Sequence, residues 1–183
     1  MALTLATALL SACSTEAEAP SESLPTTSAP ATTTEALPVV GPPDFPVPPE
    51  ARTQDAAGAE AFLRYWIDLL NRQRAIPAGQ PLRDLGPDCD ECRRIADNND
   101  ATAAARETYV GGNVTLNDVP PAVLTGDRAE VIFGARIDAV SIVDANGVVV
   151  DPGIPEQPNI GSGIRLIWSE SLRSWLVTEF NLG

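Results

Sequence analysis

Three cysteines are the residues whose neighbours point most clearly to chemistry. The first ends the run Leu10-Ser11-Ala12-Cys13, which follows an apolar stretch of about ten residues, too short to span a bilayer. Small residues before a cysteine are typical of a bacterial lipobox, so the pattern predicts a diacylglyceryl group on the Cys13 thiol. Two acyl chains hold a protein at a membrane, whereas one binds only marginally. The alternative is an ordinary secretory signal that contains a cysteine by chance.

Cys89 and Cys92 are the other two cysteines, and their Cys-x-x-Cys spacing allows three interpretations. Outside the cytoplasm, two cysteines left after lipidation of the first favour a structural disulfide that closes one helical turn. Thiol-disulfide exchange would need a stabilised thiolate, which Asp88, Asp90 and Glu91 oppose by their negative charge. Zinc would need further ligands from a chain without histidine. The sequence therefore predicts a disulfide and no metal site.

Aromatic and charged side chains give a second candidate site. Tyr65 and Trp66 lie on the apolar side of a predicted helix, and Arg136 and Asp138 lie on a predicted strand. If the strand and helix enclose a cavity, these four residues are the predicted pocket, and a buried carboxylate there could act as a general base. The competing interpretation is an apolar core beneath the helix and a solvated sheet face with cross-strand ion pairs, and it is favoured.

Composition narrows the classes of function. The chain has no histidine, which excludes Ser-His-Asp and Cys-His nucleophilic systems. Its net charge is -13, with 25 acidic residues against 12 basic ones, all of them arginine. Such a surface repels phosphate backbones, which argues against nucleic acid as a partner. We therefore expect a protein that is not an enzyme, with no cofactor and no catalytic residue.

Proline and charge divide the chain into three parts. Residues 1–13 are the predicted signal peptide and lipobox, and residues 14–51 are a predicted disordered linker rich in Pro, Thr, Ser and Glu. Nine of the 17 prolines precede Glu50, so this part lacks the apolar residues that a core needs. Residues 52–183 are about as long as one usual domain and are predicted to be globular.

Apolar periodicity predicts two helices followed by strands. Residues 54–71 repeat apolar side chains at helical steps, and a second helix is expected from Pro87 and Asp88 to about Asp97. From Tyr109 the period becomes two, with strands over 109–124, 129–142, 148–150, 163–169 and 174–180. The proline-containing residues 151–159 are predicted to be a loop. This order indicates an α+β fold, in which two helices pack on a curved antiparallel sheet of four or five strands.

Two motifs give a family resemblance. The first is a helix with Ala61, Phe62, Tyr65 and Trp66, followed by the Cys-x-x-Cys helix, and the second is a closing hairpin with Leu166, Trp168, Trp175 and Val177. Over about residues 48–183 the chain resembles an actinobacterial lipoprotein family with an uncharacterised domain of the NTF2-like (cystatin-like) cone type. The resemblance implies that cone fold and a location at the cell envelope, and it implies no activity.

These observations favour a lipid-anchored protein on the extracytoplasmic face of the cell membrane. Its expected partners are the membrane, through Cys13, and an envelope protein or small molecule that the sequence does not identify. A non-catalytic binding or scaffolding domain is the leading hypothesis. The alternatives are a small-molecule or enzymatic pocket between sheet and helix, and envelope thiol-disulfide exchange through Cys89 and Cys92.

Overall fold

The long helix predicted from the sequence is α1, Ala56–Ala75, in a computed structural model that describes residues 37–183. It begins after Asp55, whose carboxylate accepts a hydrogen bond from the Gly58 amide at 2.7 Å and so caps the helix. One side of α1 is completely buried, with Phe62 and Trp66 at 0% exposure. The helix is therefore the central element of the core.

Residues 37–183 contain three α-helices, one more than predicted. The added helix is α2, Gln80–Leu85, where Pro81 occupies the first turn, a position that tolerates proline because the amide there needs no partner. The third is α3, Asp90–Ala104, which continues past its predicted end near Asp97. Arg83 of α2 pairs with Asp97 at 2.6 Å and with Asp100 at 2.7 Å, so contacts between helices outweigh the low helix propensity of this segment.

Eight strands follow, and they form two antiparallel sheets among the described residues. The three-stranded sheet has the order β1-β5-β6, and the five-stranded sheet has the order β2-β4-β7-β8, with β3 paired to β4 beside β2. Their bounds are β1 Thr108–Gly111, β2 Val114–Asp118, β3 Val123–Thr125, β4 Arg128–Ile137, β5 Val140–Val143, β6 Val149–Ile154, β7 Gln157–Ser169 and β8 Ser174–Leu182.

The five-stranded sheet packs one face on α1. Along β4 the side chains alternate between buried and exposed, with Val131 and Phe133 buried and Glu130 and Ile132 exposed. The pairing register shifts once on each of β2, β4 and β7, and irregularities of this kind bend a sheet. The predicted α+β class, with helices packed on a curved antiparallel sheet, is confirmed.

Two predictions about the strands are wrong. The segment after Asp138 is not the continuation of one long strand, because β5 pairs with β1 and β6 in the second sheet. The chain passes between the sheets at Gly111 and Gly112, whose φ angles of 76° and 77° favour glycine. Residues 151–159 are not a loop, since they belong largely to β6 and β7. Pro152 is accepted because β6 is an edge strand, where the missing amide costs no ladder bond.

The folded part also begins earlier than predicted. Residues 40–51, which we call the N-terminal strap, pack on the core through Val40, Val47 and Ala51, all buried. Phe45 of the strap stacks on Tyr65 of α1 with ring centroids 5.2 Å apart. The predicted linker boundary at residue 51 is therefore too late.

The membrane-related predictions concern other residues. Cys13, the signal peptide over 1–13 and most of the predicted linker lie outside the described residues. Among residues 37–183, none of the helices combines the length and apolar character required to cross a membrane.

Candidate functional site

The four residues of the predicted pocket do not line one cavity. Trp66 is fully buried, packs edge-on against Phe180 at 5.8 Å, and leaves its Nε1 without a polar partner. Arg136 and Asp138 instead lie at the solvent-exposed side of the sheet, 3.2 Å apart. The prediction failed because the aromatic side chains of α1 and of the sheet fill the space between the two elements.

Tyr65 lies near the edge of this core, under the N-terminal strap. Its hydroxyl donates a hydrogen bond of 2.9 Å to the carbonyl oxygen of Phe45. Burial raises the pKa of Tyr65 to about 12, and the positive charge of Arg72 opposes the shift. The phenol therefore stays neutral and fastens the strap to α1.

The outer face of the five-stranded sheet carries cross-strand ion pairs, as the favoured interpretation describes. Arg165 on β7 lies 3.3 Å from a carboxylate oxygen of Glu130 on β4 and 2.6 Å from one of Glu179 on β8. Arg136 makes a similar contact of 3.0 Å with Glu156. All these groups are well exposed, so water screens the pairs and they add little to stability. Arg128, at the start of β4, is also exposed beside these pairs and forms no ion pair within residues 37–183, so it remains an unpaired cation on this face.

Cys89 and Cys92 lie at the start of α3 with their Sγ atoms 1.99 Å apart, as expected for a disulfide. Cys89 is also the N-cap, and its sulfur accepts a hydrogen bond from the Cys92 amide at 3.1 Å. Both residues have 0% exposure. A partner thiolate cannot reach a buried bond while the domain is folded, so the geometry argues against thiol-disulfide exchange.

A cleft between α3 and the three-stranded sheet is a candidate site. We call it the helix–sheet cleft, and its volume is about 730 Å³, within the range of small-molecule sites. One wall is the exposed side of α3 and the other is the face of β1, β5 and β6 that looks toward it. The lining residues are Arg94, Asn98, Ala101, Thr102, Ala105, Glu107, Tyr109, Val140, Ser141, Ile142, Asp151, Gly153 and Ile154.

The base of the cleft is held by a hydrogen bond between its two walls. The Oγ1 atom of Thr102 donates to the hydroxyl oxygen of Tyr109 at 3.1 Å. On the same ring, the guanidinium carbon of Arg74 lies 6.0 Å from the centroid. Burial lowers the pKa of Arg74, and the nearby Tyr109 offsets part of that shift. The ring is thus fixed from two sides.

Sequence reasoning missed this cleft for a specific reason. Its walls come from α3 and from the sheet formed by β1, β5 and β6, and β5 was predicted to extend the strand before it. The available signal was the apolar alternation of Val140 and Ile142, which marks one covered face, together with Tyr109 at the start of the strands. Only the separation into two sheets places these residues opposite α3.

Metal binding has no support in the described part of the chain. Within residues 37–183, no group of three or more His, Cys, Asp or Glu side chains is arranged to hold a metal ion.

Comparisons with known proteins reveal similarities of structure only. No protein-family model matches the chain, and no curated protein matches it. The intermembrane-space region of the chloroplast protein ARC6 is similar over 71% of this chain and 97% of its own length, with 18% identity and a TM-score of 0.48.

Two further solved structures are similar to the chain. The Rd1NTF2_05 protein matches 68% of this chain and 99% of its own, with 12% identity and a TM-score of 0.41. A protein described as a calcium/calmodulin dependent protein kinase II association domain, from Xanthomonas campestris, matches 67% and 84%, with 13% identity and a TM-score of 0.38. These TM-scores lie below 0.5, so the likenesses assign no function to this chain.

Proposed function

We propose that this protein is a lipid-anchored, extracytoplasmic binding module, in which Cys13 carries the anchor and residues 37–183 bind a partner without catalysis. The NTF2-like type of the domain is part of the same proposal. The observation that carries it is the division of space in the domain. The interior beneath α1 is filled by large apolar side chains, while the helix–sheet cleft stays open to solvent.

The chemistry of the cleft supports binding over turnover. Its polar side chains are a phenol, two carboxylates, an amide, two aliphatic hydroxyls and an arginine that is already paired with Glu91. General acid–base catalysis requires a titrating group with a pKa near the working pH and a second group that positions it. The cleft has no histidine or free thiol among the described residues, which leaves the carboxylates of Glu107 and Asp151 as the acid–base candidates that a test of turnover must remove.

The anchor is tested by replacing one atom in the full chain. Cys13→Ser should abolish incorporation of a labelled fatty acid and move the protein from the membrane fraction to the soluble fraction. The matched control is Cys89→Ser with Cys92→Ser, which should leave labelling unchanged. If the Cys13→Ser chain incorporated as much labelled fatty acid as the wild-type chain, the predicted lipid anchor at Cys13 would be wrong.

The binding function is tested in intact envelopes. A photoreactive side chain at Asn98, on the exposed α3 wall of the cleft, should crosslink to a saturable ligand or partner. The same group at Glu170, in the turn between β7 and β8, is the control and should crosslink at background level. Turnover of an envelope metabolite that disappears in Glu107→Gln or Asp151→Asn would instead establish an enzyme.

A further inference from the structure

The sheet wall of the helix–sheet cleft is apolar where β5 and β6 form it, and we call this part of the wall the floor. Val140 pairs with Ile154 across the two strands, and Ile142 pairs with Asp151, so these side chains share the face that looks toward α3. The three aliphatic side chains give a surface that a hydrocarbon group covers favourably, because burying apolar area removes it from water.

The charges of the cleft are not balanced. Glu107 and Asp151 both line it, and neither forms an ion pair within residues 37–183, although Asp151 accepts a hydrogen bond of 2.7 Å from the Gly153 amide. Arg94 is the cation of the lining, and its guanidinium is held by the carboxylate of Glu91, with Nε at 2.8 Å from Oε2. The lining therefore has two carboxylates without an ion-pair partner beside an apolar floor, and the buried Arg74 guanidinium on the ring of Tyr109 is a further cation close to it.

Tyr109 gives the cleft a hydrogen-bond donor, but the face of its ring is not available to bind a cationic ligand. Its hydroxyl oxygen accepts from Thr102, so its own proton remains free to be donated. The ring already contacts the guanidinium of Arg74, which takes up much of its attraction for cations. A cationic ligand is consequently recognised by the carboxylates and not by the face of the ring.

We propose that the helix–sheet cleft binds a small amphipathic amine, whose ammonium group is held by Glu107 and Asp151 and whose hydrocarbon part covers Val140, Ile142 and Ile154. An anionic amphiphile of the same size is excluded by the two carboxylates. This inference rests on the proposed binding function and adds the chemical class of the ligand.

The test uses the full chain carrying Cys13→Ala, so that no detergent is needed, and n-hexylamine as the probe, followed by titration calorimetry. Hexylamine should bind saturably at one site, and hexanoate, which has the opposite charge on the same hydrocarbon chain, should not. Glu107→Gln with Asp151→Asn should weaken hexylamine binding about tenfold or more, since the double variant removes the charged acceptors of the ammonium group.

The matched control removes two carboxylates elsewhere. Glu130→Gln with Glu179→Gln makes the same change in net charge on the outer face of the five-stranded sheet, and hexylamine binding should be retained within about twofold. Equal loss in both double variants would show an effect of overall charge and overturn the proposal. Saturable binding of hexanoate, or no saturable binding of hexylamine, would overturn it as well.

A second probe separates a free amine from a lysine side chain of a partner protein. A short apolar peptide with one central lysine should bind more weakly than hexylamine, because its backbone does not fit on the floor of the cleft. Saturable binding of the peptide without binding of hexylamine would overturn the small-molecule assignment. The crosslinks at Asn98 would persist in that case, so the proposed binding function would stand.

Discussion

The five-stranded sheet buries one whole face beneath α1, whereas the three-stranded sheet leaves most of its side chains in contact with solvent. The contrast holds for a single residue type. Val177 on β8 is fully buried, and Val149 on β6 is 56% exposed. Both are ordinary strand residues, so the difference lies in what covers each sheet and not in the strands themselves.

The difference separates stability from binding. Side chains of the five-stranded sheet and α1 remove a large apolar area from water, which is the main source of folding free energy. The three-stranded sheet meets α3 only across the helix–sheet cleft, so its side chains contribute less and remain available to a ligand. Substitutions in the two regions should therefore differ in kind.

The largest effect is expected in the packed region. Trp175 on β8 has 0% exposure, packs on Trp168 at 5.3 Å and donates a hydrogen bond of 2.9 Å to the carbonyl of Thr53. Trp175→Ala should lower the free energy of unfolding by about 3–5 kcal/mol, because it leaves a cavity and an unpaired carbonyl. Denaturant titration measures this. Val149→Thr, the control in the open sheet, should cost less than about 0.5 kcal/mol.

A smaller effect is expected where α3 begins. Cys89→Ala with Cys92→Ala should lower the free energy of unfolding by about 2 kcal/mol, since the bond closes only a four-residue loop and restricts the unfolded chain little. The unfolding midpoints of the two proteins, each with and without reductant, measure it. Reduction of the native wild-type bond within seconds would contradict the buried position and reopen the exchange hypothesis.

Arg52 links the segment before α1 to the turn between β7 and β8, so its substitution tests how much these contacts stabilise the packed region. Its guanidinium donates to the carbonyl oxygens of Leu172 at 2.5 Å, Arg173 at 3.1 Å and Pro38 at 2.8 Å. Arg52→Ala should cost about 1.5 kcal/mol in the free energy of unfolding. Arg64→Ala is the control on the exposed side of α1 and should be nearly neutral. Equal effects of the two would mean that these hydrogen bonds add no net stability.

At neutral pH the smallest effect is expected for Tyr65, because its contribution is a dependence of stability on pH that emerges only in the alkaline range. Its pKa is about 12 in the folded protein against 10.0 when unperturbed, so the folded state keeps the proton longer than the unfolded state. The resulting stability is complete below pH 10 and is lost as pH rises from about 10 to about 12. Tyr65→Phe should flatten this part of the profile of unfolding free energy against pH. An unchanged slope in that variant would contradict the assignment.

Local sequence patterns predicted the elements with strong periodicity. The spacing of Phe62, Trp66 and their neighbours predicted α1 within a few residues, and the alternation around Val131 predicted β4. Patterns with competing local signals were misjudged. No helix was predicted at Pro81, which lies in the first turn of α2, and Pro152 was predicted in a loop although it lies in an edge strand. In each case a proline is tolerated because no partner needs its amide.

The candidate site was the least predictable feature. Arg136 and Asp138 were placed on a pocket wall because their strand alternates, but alternation does not say which face of a sheet is covered. The helix–sheet cleft depends on the switch at Gly111 and Gly112, which moves the chain from one sheet to the other. That switch is set by pairing between strands far apart in sequence.

The sequence by itself determined the α+β class, the buried side of α1, the cysteine pair and the acidic character of the surface, because these depend on residue type and short spacing. Only the tertiary structure decided that the space beneath α1 is filled and that a cleft opens beside α3. The physical reason is that side-chain volume and strand pairing act between segments distant in the chain, and periodicity within one segment carries no information about either.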